Sequence, residues 1–257
     1  MLCIIMPAYN EEKRIGRTLE EYSHFFDKLA KQKILEYRIL VVINGTTDRT
    51  EEVVQKYTDK NKKILSLNFK KGGKGFAILK GFEYAVENHF DEIGFVDSDL
   101  ATYPEEFWKL VAQLHKYNGA IASRWKKGAV VKRDIRKIIR SRGFNFLVRS
   151  LFFLPYQDTQ CGAKIFKWNA IKEILPEIKS LEWAFDVDLL YLCKRHKFNI
   201  KEIPTKWDDK KGSKIGSIIT PIKMASSVIR LRMLYSPFKF IVRIYDKLPN
   251  KFKVHNL

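Results

Sequence analysis

Short apolar runs alternate with amphipathic stretches through the first 123 residues of the chain. The apolar runs are Leu2–Met6, Ile39–Ile43, Ile64–Leu67, Glu92–Val96 and Ala120–Ser123, each four or five residues long. Such runs predict strands. Between them, roughly Glu12–Lys31, Asp48–Lys56, Gly75–Glu87 and Pro104–Tyr117 repeat apolar residues at helical spacing. Asp48 stands three residues before Glu51, and Thr102 three before Glu105, so both pairs have capping-box spacing. Pro104 suits a first helical turn. Strands this apolar are covered on both faces, which predicts a doubly wound, mostly parallel α/β sheet with flanking helices.

The pattern changes after Arg124. Residues 133–153 read as a basic amphipathic helix carrying Phe144, Phe146, Leu147, Val148, Leu151 and Phe152. A further strand is predicted at Ala163–Phe166, helices near Ala170–Leu175 and Phe185–His196, and a strand at Ile200–Ile203. From Thr220 onward the chain is basic and amphipathic again. The expected division is an α/β domain over residues 1–215 and a basic amphipathic C-terminal extension over residues 216–257.

Charge sharpens that division. The 257 residues hold 48 Lys and Arg against 29 Asp and Glu, a net charge of +19. Residues 124–150 and 201–257 each carry +9, leaving the rest of the chain near +1. An anionic partner is implied, and it meets the chain on those two stretches. The 46% hydrophobic and 13% aromatic content excludes disorder. The longest run without Lys, Arg, Asp or Glu is the ten residues Met1–Asn10, so no bilayer-spanning helix is expected. Without a basic lead-in, no signal peptide is expected either. Cys3, Cys161 and Cys193 have no paired spacing, which points to a reduced, cytoplasmic chain. The five histidines lack metal-ligand spacing.

Polar residues gather just beyond the predicted strands: Tyr9–Glu11, Asn44–Asp48, Lys70–Gly75 and Asp97–Asp99. In open α/β sheets ligands bind outside the carboxyl ends of the strands. Asp97-Ser98-Asp99 offers two hard carboxylates at a strand end, suited to Mg²⁺ beside a diphosphate; the plainer alternative is a solvated turn that caps a helix. Lys70-Lys71-Gly72-Gly73-Lys74-Gly75 allows close backbone approach to phosphate, followed by the free amides of a helix N-terminus. It lacks the Walker A pattern and could also be an ordinary turn.

Taken in order, Pro7-Ala8-Tyr9-Asn10-Glu11, Asn44-Gly45-Thr46-Thr47-Asp48 and Asp97-Ser98-Asp99 resemble the GT-A (Rossmann-like) glycosyltransferases of family 2, which transfer a sugar from a nucleotide donor with inversion. The segments Asp158–Phe166, Trp183–Tyr191 and Gly212-Ser213-Lys214 narrow the likeness to polyprenyl-phosphate glycosyltransferases. Asp97–Thr102 resembles the glucosyl branch, since mannosyl relatives usually place Gln where Ala101 stands. The resemblance implies that Pro7, Ala8, Tyr9, Asn10, Glu11, Asn44, Asp48, Lys74, Asp97 and Ser98 bind the donor. It implies that Asp97 and Asp99 hold Mg²⁺ or Mn²⁺, with Asp99 the more direct ligand, and that Arg124 meets phosphate. One departure bears on the donor base. Where the family usually has Asp-Asp-Gly-Ser, this chain has Ile43-Asn44-Gly45-Thr46, which leaves uridine and guanosine donors open.

The acceptor implied is a polyisoprenyl phosphate, already largely dianionic at neutral pH because its second pKa is about 6. It needs positioning more than a base. Arg136, Lys137, Arg140 and Ser141 are the candidates, with Asp186 (rather than Asp188) as sugar-positioning residue or weak base. The expected place is the cytoplasmic face of a membrane, reached peripherally or through a membrane-anchoring protein. A GDP-mannose-dependent mannosyl enzyme, or a non-catalytic membrane or nucleic-acid binder on the same scaffold, is the alternative. No RNP-like, KH or zinc signature supports nucleic acid, and none is expected as partner.

Overall fold

The computed structural model describes residues 1–132, 134–208 and 219–247. Its first half is a β/α alternation: β1 Leu2–Ala8, α1 Ile15–Lys31, β2 Tyr37–Asn44, α2 Thr50–Lys60, β3 Ile64–Phe69, α3 Lys74–Glu87, β4 Glu92–Val96, α4 Pro104–Val111 and β5 Gly119–Ser123. Every predicted strand is present, most lengthened by a residue or two. The rest comprises β6 Val130–Lys132, α5 Ile135–Phe152, β7 Ala163–Lys167, α6 Trp168–Ile174, α7 Phe185–Arg195, β8 Ile200–Pro204, β9 Lys206–Asp208, α8 Ile219–Leu234 and α9 Lys239–Lys247. A 3₁₀ turn, Leu175–Glu177, follows α6. Gly212-Ser213-Lys214 lies outside the described residues.

Seven strands form one sheet in the order β3-β2-β1-β4-β7-β5-β8. All pair in parallel except β7, which runs antiparallel to both β4 and β5. Alternation along β1 separates the two cores: Cys3 and Ile5 face α3, α5, α6, α7 and α8, while Leu2, Ile4, Met6 and Ala8 face α1, α2 and α4. Burial on both faces accounts for the continuously apolar strands.

Several boundaries depart from the sequence reading, each for a local reason. Helix α1 starts at Ile15 rather than Glu12, because the Glu12 amide donates to Asp48 Oδ2 (3.2 Å) and its carboxylate accepts the Arg49 amide (3.1 Å). Neither capping box forms. Position Arg49 precedes α2, although Asp48 Oδ1 accepts the Thr50 amide at 3.0 Å. Tyr103 precedes α4, and Thr102 is instead buried in a β-bridge to Trp207. Helix α4 stops at Val111, after which the Gln113 and Leu114 amides bond three residues back rather than four. The two-stranded ribbon of β6 and β9 was not foreseen.

Helix α5 is apolar on two sides. Val148 and Phe152 are buried in the core shared with α7 and α8, while Ile135, Ile139 and Phe146 are 66–73% exposed. At about 100° per residue these three lie within roughly 40° of one another. Helix α9 repeats the arrangement: Val242 is buried, while Phe240, Ile241 and Ile244 are exposed. Among the described residues, no helix is long and apolar enough to cross a membrane. All three cysteines are free and buried.

At the end of α7, His196 is clamped between Glu173 (Nδ1 to Oε1, 2.7 Å) and Glu177 (Nε2 to Oε1, 2.7 Å). The Glu173 bond, with that of Glu177, raises the imidazole pKa above its ordinary value of about 6.5. A raised folded-state pKa stabilises the fold fully below the unfolded value, and that contribution is lost as pH rises through the folded one. His196→Gln is therefore expected to lower the melting temperature clearly at pH 6 and by less at pH 9, measured by thermal unfolding at both.

Candidate active site

The chain leaves β1 toward β2 and β3 on one side and returns as β4 on the other. The carboxyl ends of β1 and β4 thus flank a topological switch point, where such sheets open a ligand crevice. Pairing between β1 and β2 continues to Ala8, whereas that between β1 and β4 runs only from Leu2 to Ile5. Pro7 has no N–H to extend it. Tyr9–Glu11 and Asp97–Asp99 emerge on the two sides of that gap.

The loops after β1 and β2 are bonded to each other. The Asn10 amide donates to Thr46 Oγ1 (3.0 Å), the Glu11 amide to Thr50 Oγ1 (2.7 Å), and the Thr47 amide to Asn10 Oδ1 (2.7 Å). Burial opposes ionisation of Asp48, but hydrogen bonds from the Thr50 side chain and from the Glu12 and Thr50 amides outweigh it and lower its pKa. The Glu11 carboxylate is held by the Arg14 fork at 2.6 Å on both oxygens. Asp48 and Glu11 therefore shape the loops, and Tyr9 stands 47% exposed at their edge. Asn44 is buried, with Nδ2 donating to the Ala8 carbonyl (3.0 Å) and Oδ1 accepting the Gly73 amide (2.9 Å). An aspartate could not make the first of these bonds.

Asp97-Ser98-Asp99 is clamped from three directions. Thr18 of α1 donates its hydroxyl to the Ser98 carbonyl (2.7 Å), and Tyr22 donates to the Thr102 carbonyl (2.9 Å). The Asp208 amide of β9 donates to the Ala101 carbonyl (3.2 Å), and the Asp97 amide to the Gly162 carbonyl (3.1 Å). Gly162 packs so tightly here that a Cβ would lie 1.9 Å from Asp97 Oδ2. Burial, then the neighbouring Asp97 charge, raise the Asp99 pKa.

Lys74, the first residue of α3, pairs with the Asp97 carboxylate. Crowding by the surrounding protein disfavours its charge although the side chain stays 45% exposed, and Asp97 foremost, then Asp186 and Asp99, raise its pKa. The expectation that α3 offers a row of free amides needs correction. The Gly73 amide is taken by Asn44 and the Phe76 amide by the Leu181 carbonyl (3.0 Å). Gly75 touches Leu181 and Phe185 so closely that a Cβ would lie 2.7 Å from each. Lys74 presents its side chain to the crevice beside Asp97.

Asp186 and Asp188 part company at the start of α7. Asp186 Oδ1 accepts a 2.6 Å bond from Lys164, a fully buried lysine that also donates to the Cys161 carbonyl. Asp188 turns away: Oδ2 accepts the Lys179 and Ser180 amides (2.6 and 2.7 Å), and Oδ1 the Tyr235 hydroxyl (2.5 Å). Arg124 requires a second correction. It is buried, and its Nε and Nη2 bond Asp158 at 2.7 and 2.9 Å, so this fork is committed to a carboxylate instead of phosphate. Its guanidinium lies between the Trp125 and Trp207 rings, 5.6 and 5.3 Å from their centroids, and Arg142 stacks on Trp125 at 5.3 Å.

Arg136, Lys137, Arg140 and Ser141 fall on the first two turns of α5. The chain enters them from β6, whose partner β9 contacts the Ala101–Thr102 segment. The Arg136 and Lys137 side chains lie outside the described residues, and the Ser141 carbonyl accepts from Asn145 at 3.3 Å. Sequence reasoning missed Lys164 and Gly162 as site residues, although both sit in the Asp158–Phe166 segment it had singled out. It also missed Thr18, Tyr22 and Trp207, for which no local signal existed.

Residues 3–175 match the family model described as glycosyl transferase family 2. The dolichyl-phosphate beta-glucosyltransferase of Dictyostelium discoideum is 29% identical, over 91% of this chain and 74% of its own length. The Homo sapiens protein of the same name is 30% identical, over 91% and 75%. Among solved structures, glucosyl-3-phosphoglycerate synthase from Mycobacterium tuberculosis in complex with Mn²⁺, UDP-glucose and glycerol 3-phosphate aligns with a TM-score of 0.65 at 15% identity, covering 91% of this chain and 79% of that one.

The Asn44 geometry is testable. Asn44→Asp sets a carboxylate oxygen against the Ala8 carbonyl and is expected to cost about 1–3 kcal/mol at neutral pH. Part of that loss should return near pH 4, where the protonated acid regains a donor. Urea unfolding of the variant and the parent at both values measures it.

Proposed function

The chain belongs to glycosyl transferase family 2 and has the GT-A fold, and from that premise we propose that it transfers glucose from a nucleotide donor to dolichyl phosphate, with inversion. The observation that carries this reading is the meeting of Asp97, Asp99, Lys74 and Asp186 at the β1/β4 crevice. The relatives named above supply the sugar and the lipid.

The donor set fits a divalent cation. Asp97 and Asp99 present hard oxygen ligands whose mutual repulsion a cation would relieve. Among the described residues no group of three acidic, histidine or cysteine side chains converges, here or elsewhere, so the protein would supply two carboxylates and the donor the remaining ligands. Two carboxylates plus donor phosphates make a normal Mg²⁺ or Mn²⁺ environment. Bound there, the ion would neutralise charge on the departing nucleoside diphosphate. Lys74, held beside Asp97, is a second cation placed where negative charge develops. Glu11, Asn44 and Asp48 hold the loops that receive the nucleoside. Asp186 is committed to its hydrogen bond with Lys164, which leaves the reaction without a dedicated base. That suits an acceptor that is itself an anion and attacks the anomeric carbon through its own phosphate oxygen. Asp186 then orients the sugar.

Arg140 and Ser141, with Arg136 and Lys137, receive the acceptor phosphate at the start of α5. The exposed stripe Ile135, Ile139 and Phe146, with Phe240, Ile241 and Ile244 on α9, enters the headgroup region of a membrane while the surrounding Lys and Arg meet anionic lipid. The protein thus works as a peripheral enzyme on the cytoplasmic face, where a reducing environment suits its free cysteines.

A panel of UDP- and GDP-hexoses against a short polyprenyl phosphate tests the reaction. Transfer is expected from UDP-glucose, and transfer from GDP-mannose alone would overturn the sugar assignment. Asp99→Ala is expected to lose at least a hundredfold in kcat and all response to Mg²⁺ or Mn²⁺; unchanged turnover would refute the metal role. Ile139→Glu combined with Phe146→Glu should abolish sedimentation with phosphatidylserine vesicles, and unaltered sedimentation would exclude α5 as the membrane face.

A further inference from the structure

A groove of about 550 Å³ lies beside the crevice, between the Gly-rich loop, the segment Lys179–Glu182 and helices α8 and α9. Its walls are mainly apolar: Phe76, Leu181, Ile229, Leu231, Leu234 and Val242. Its cations are Lys71, Lys179 and Arg230, against one acidic residue, Glu182. A nucleotide sugar, polar along its whole length, gains little from such walls. A hydrocarbon chain fits the apolar walls, and the excess of cations over anions favours a chain that carries a negative charge.

The groove is joined to the catalytic residues by short covalent and hydrogen-bonded links. Gly72 lines it, and Lys74, two residues on, pairs with Asp97. Leu181 lines it too, and its carbonyl holds the Phe76 amide in the first turn of α3. The Lys179–Ser180 backbone is fixed by the buried Asp188, which in turn accepts the Tyr235 hydroxyl beyond the end of α8. The groove is therefore a built feature, tied to the site through the Gly-rich loop and Leu181 and braced on its far wall by Asp188.

We propose that this groove seats the proximal isoprene units of the acceptor, so that chain length is read by α8 and α9 while the phosphate reaches the crevice. The inference rests on the lipid-phosphate reading above. A hydrocarbon chain held here excludes water from the apolar walls and limits the orientations of the attached phosphate, which favours the long acceptor over a short one.

The three native cysteines are buried, so Ile229→Cys, at a position 48% exposed, introduces a thiol whose alkylation reports occupancy without any turnover. Geranylgeranyl phosphate is expected to slow alkylation at least tenfold. Dimethylallyl phosphate and inorganic phosphate at equal concentration should have little effect. Equal protection by inorganic phosphate would reduce the groove to an anion site, and no protection by any of the three would overturn the proposal. As a second measurement, Ile229→Trp should lower kcat/KM for the geranylgeranyl acceptor at least tenfold more than for the dimethylallyl one. An equal fall for both would also overturn it. If the groove serves a second copy of the chain, the same variant shifts the sedimentation coefficient and leaves chain-length preference intact, which counts against the proposal. Protection without glucosyl transfer sinks the reaction but leaves the lipid site; transfer without protection does the reverse.

Discussion

The paired bonds between Arg124 and Asp158 organise the site more than any other contact. Two charges removed from water need nearly complete mutual satisfaction, and here they have it. The guanidinium gives two side-chain bonds and the Arg124 amide a third, while Asp158 also accepts the Gln160 amide. Burial disfavours the ionised Asp158, and the adjacent Arg124 more than offsets this, lowering its pKa. The turn from Asp158 to Gly162 is thereby fixed, and everything after it follows. Gly162 is set against Asp97, the Cys161 carbonyl receives Lys164, and Lys164 reaches Asp186. An ion pair with no ligand of its own thus determines where the carboxylates of Asp97 and Asp186 stand.

Around that anchor the site is assembled from groups that satisfy one another before any ligand arrives. Thr18, Tyr22 and the β9 backbone fix the acidic loop, Asn44 ties β1 to the Gly-rich turn, and Leu181 closes the helix end behind Lys74. The unsatisfied remainder is electrostatic: carboxylates crowded enough to raise Asp99, offset only in part by Lys74 and the buried Lys164. Crowded anions in a half-buried crevice are costly until a cation and phosphates share the space, and that imbalance is what the site offers its ligands.

Much of this could be read in the chain itself. Apolar runs located every strand of the seven-stranded sheet, because most of its strands are buried on both faces. The acidic pair and the Lys74 loop were visible as polar clusters at strand ends. Periodicity carries no information about partners distant in sequence, and that is where the reading fell short. Arg124 looked like a phosphate ligand because Asp158, 34 residues later, shows its role only in space. Lys164 passed unnoticed because a lysine in an apolar strand gives no local sign of the carboxylate it will meet. Helix α5 was read as having one apolar face, yet it has two, one turned inward and one outward. The ribbon of β6 and β9 was missed because three-residue strands are too short to leave a pattern.

The reversed strand β7 has a consequence for how the molecule is made. It lies between β4 and β5, both of which leave the ribosome earlier, so the sheet cannot zip up in the order of synthesis. Until Ala163–Lys167 arrives, β4 and β5 have no common neighbour and each presents an open hydrogen-bonding edge. Asp97 meanwhile lacks the backbone of Gly162 against which it is set. The acidic loop therefore gains its final shape only when the second half of the chain has been inserted. An incomplete chain carries the binding residues without the means to use them.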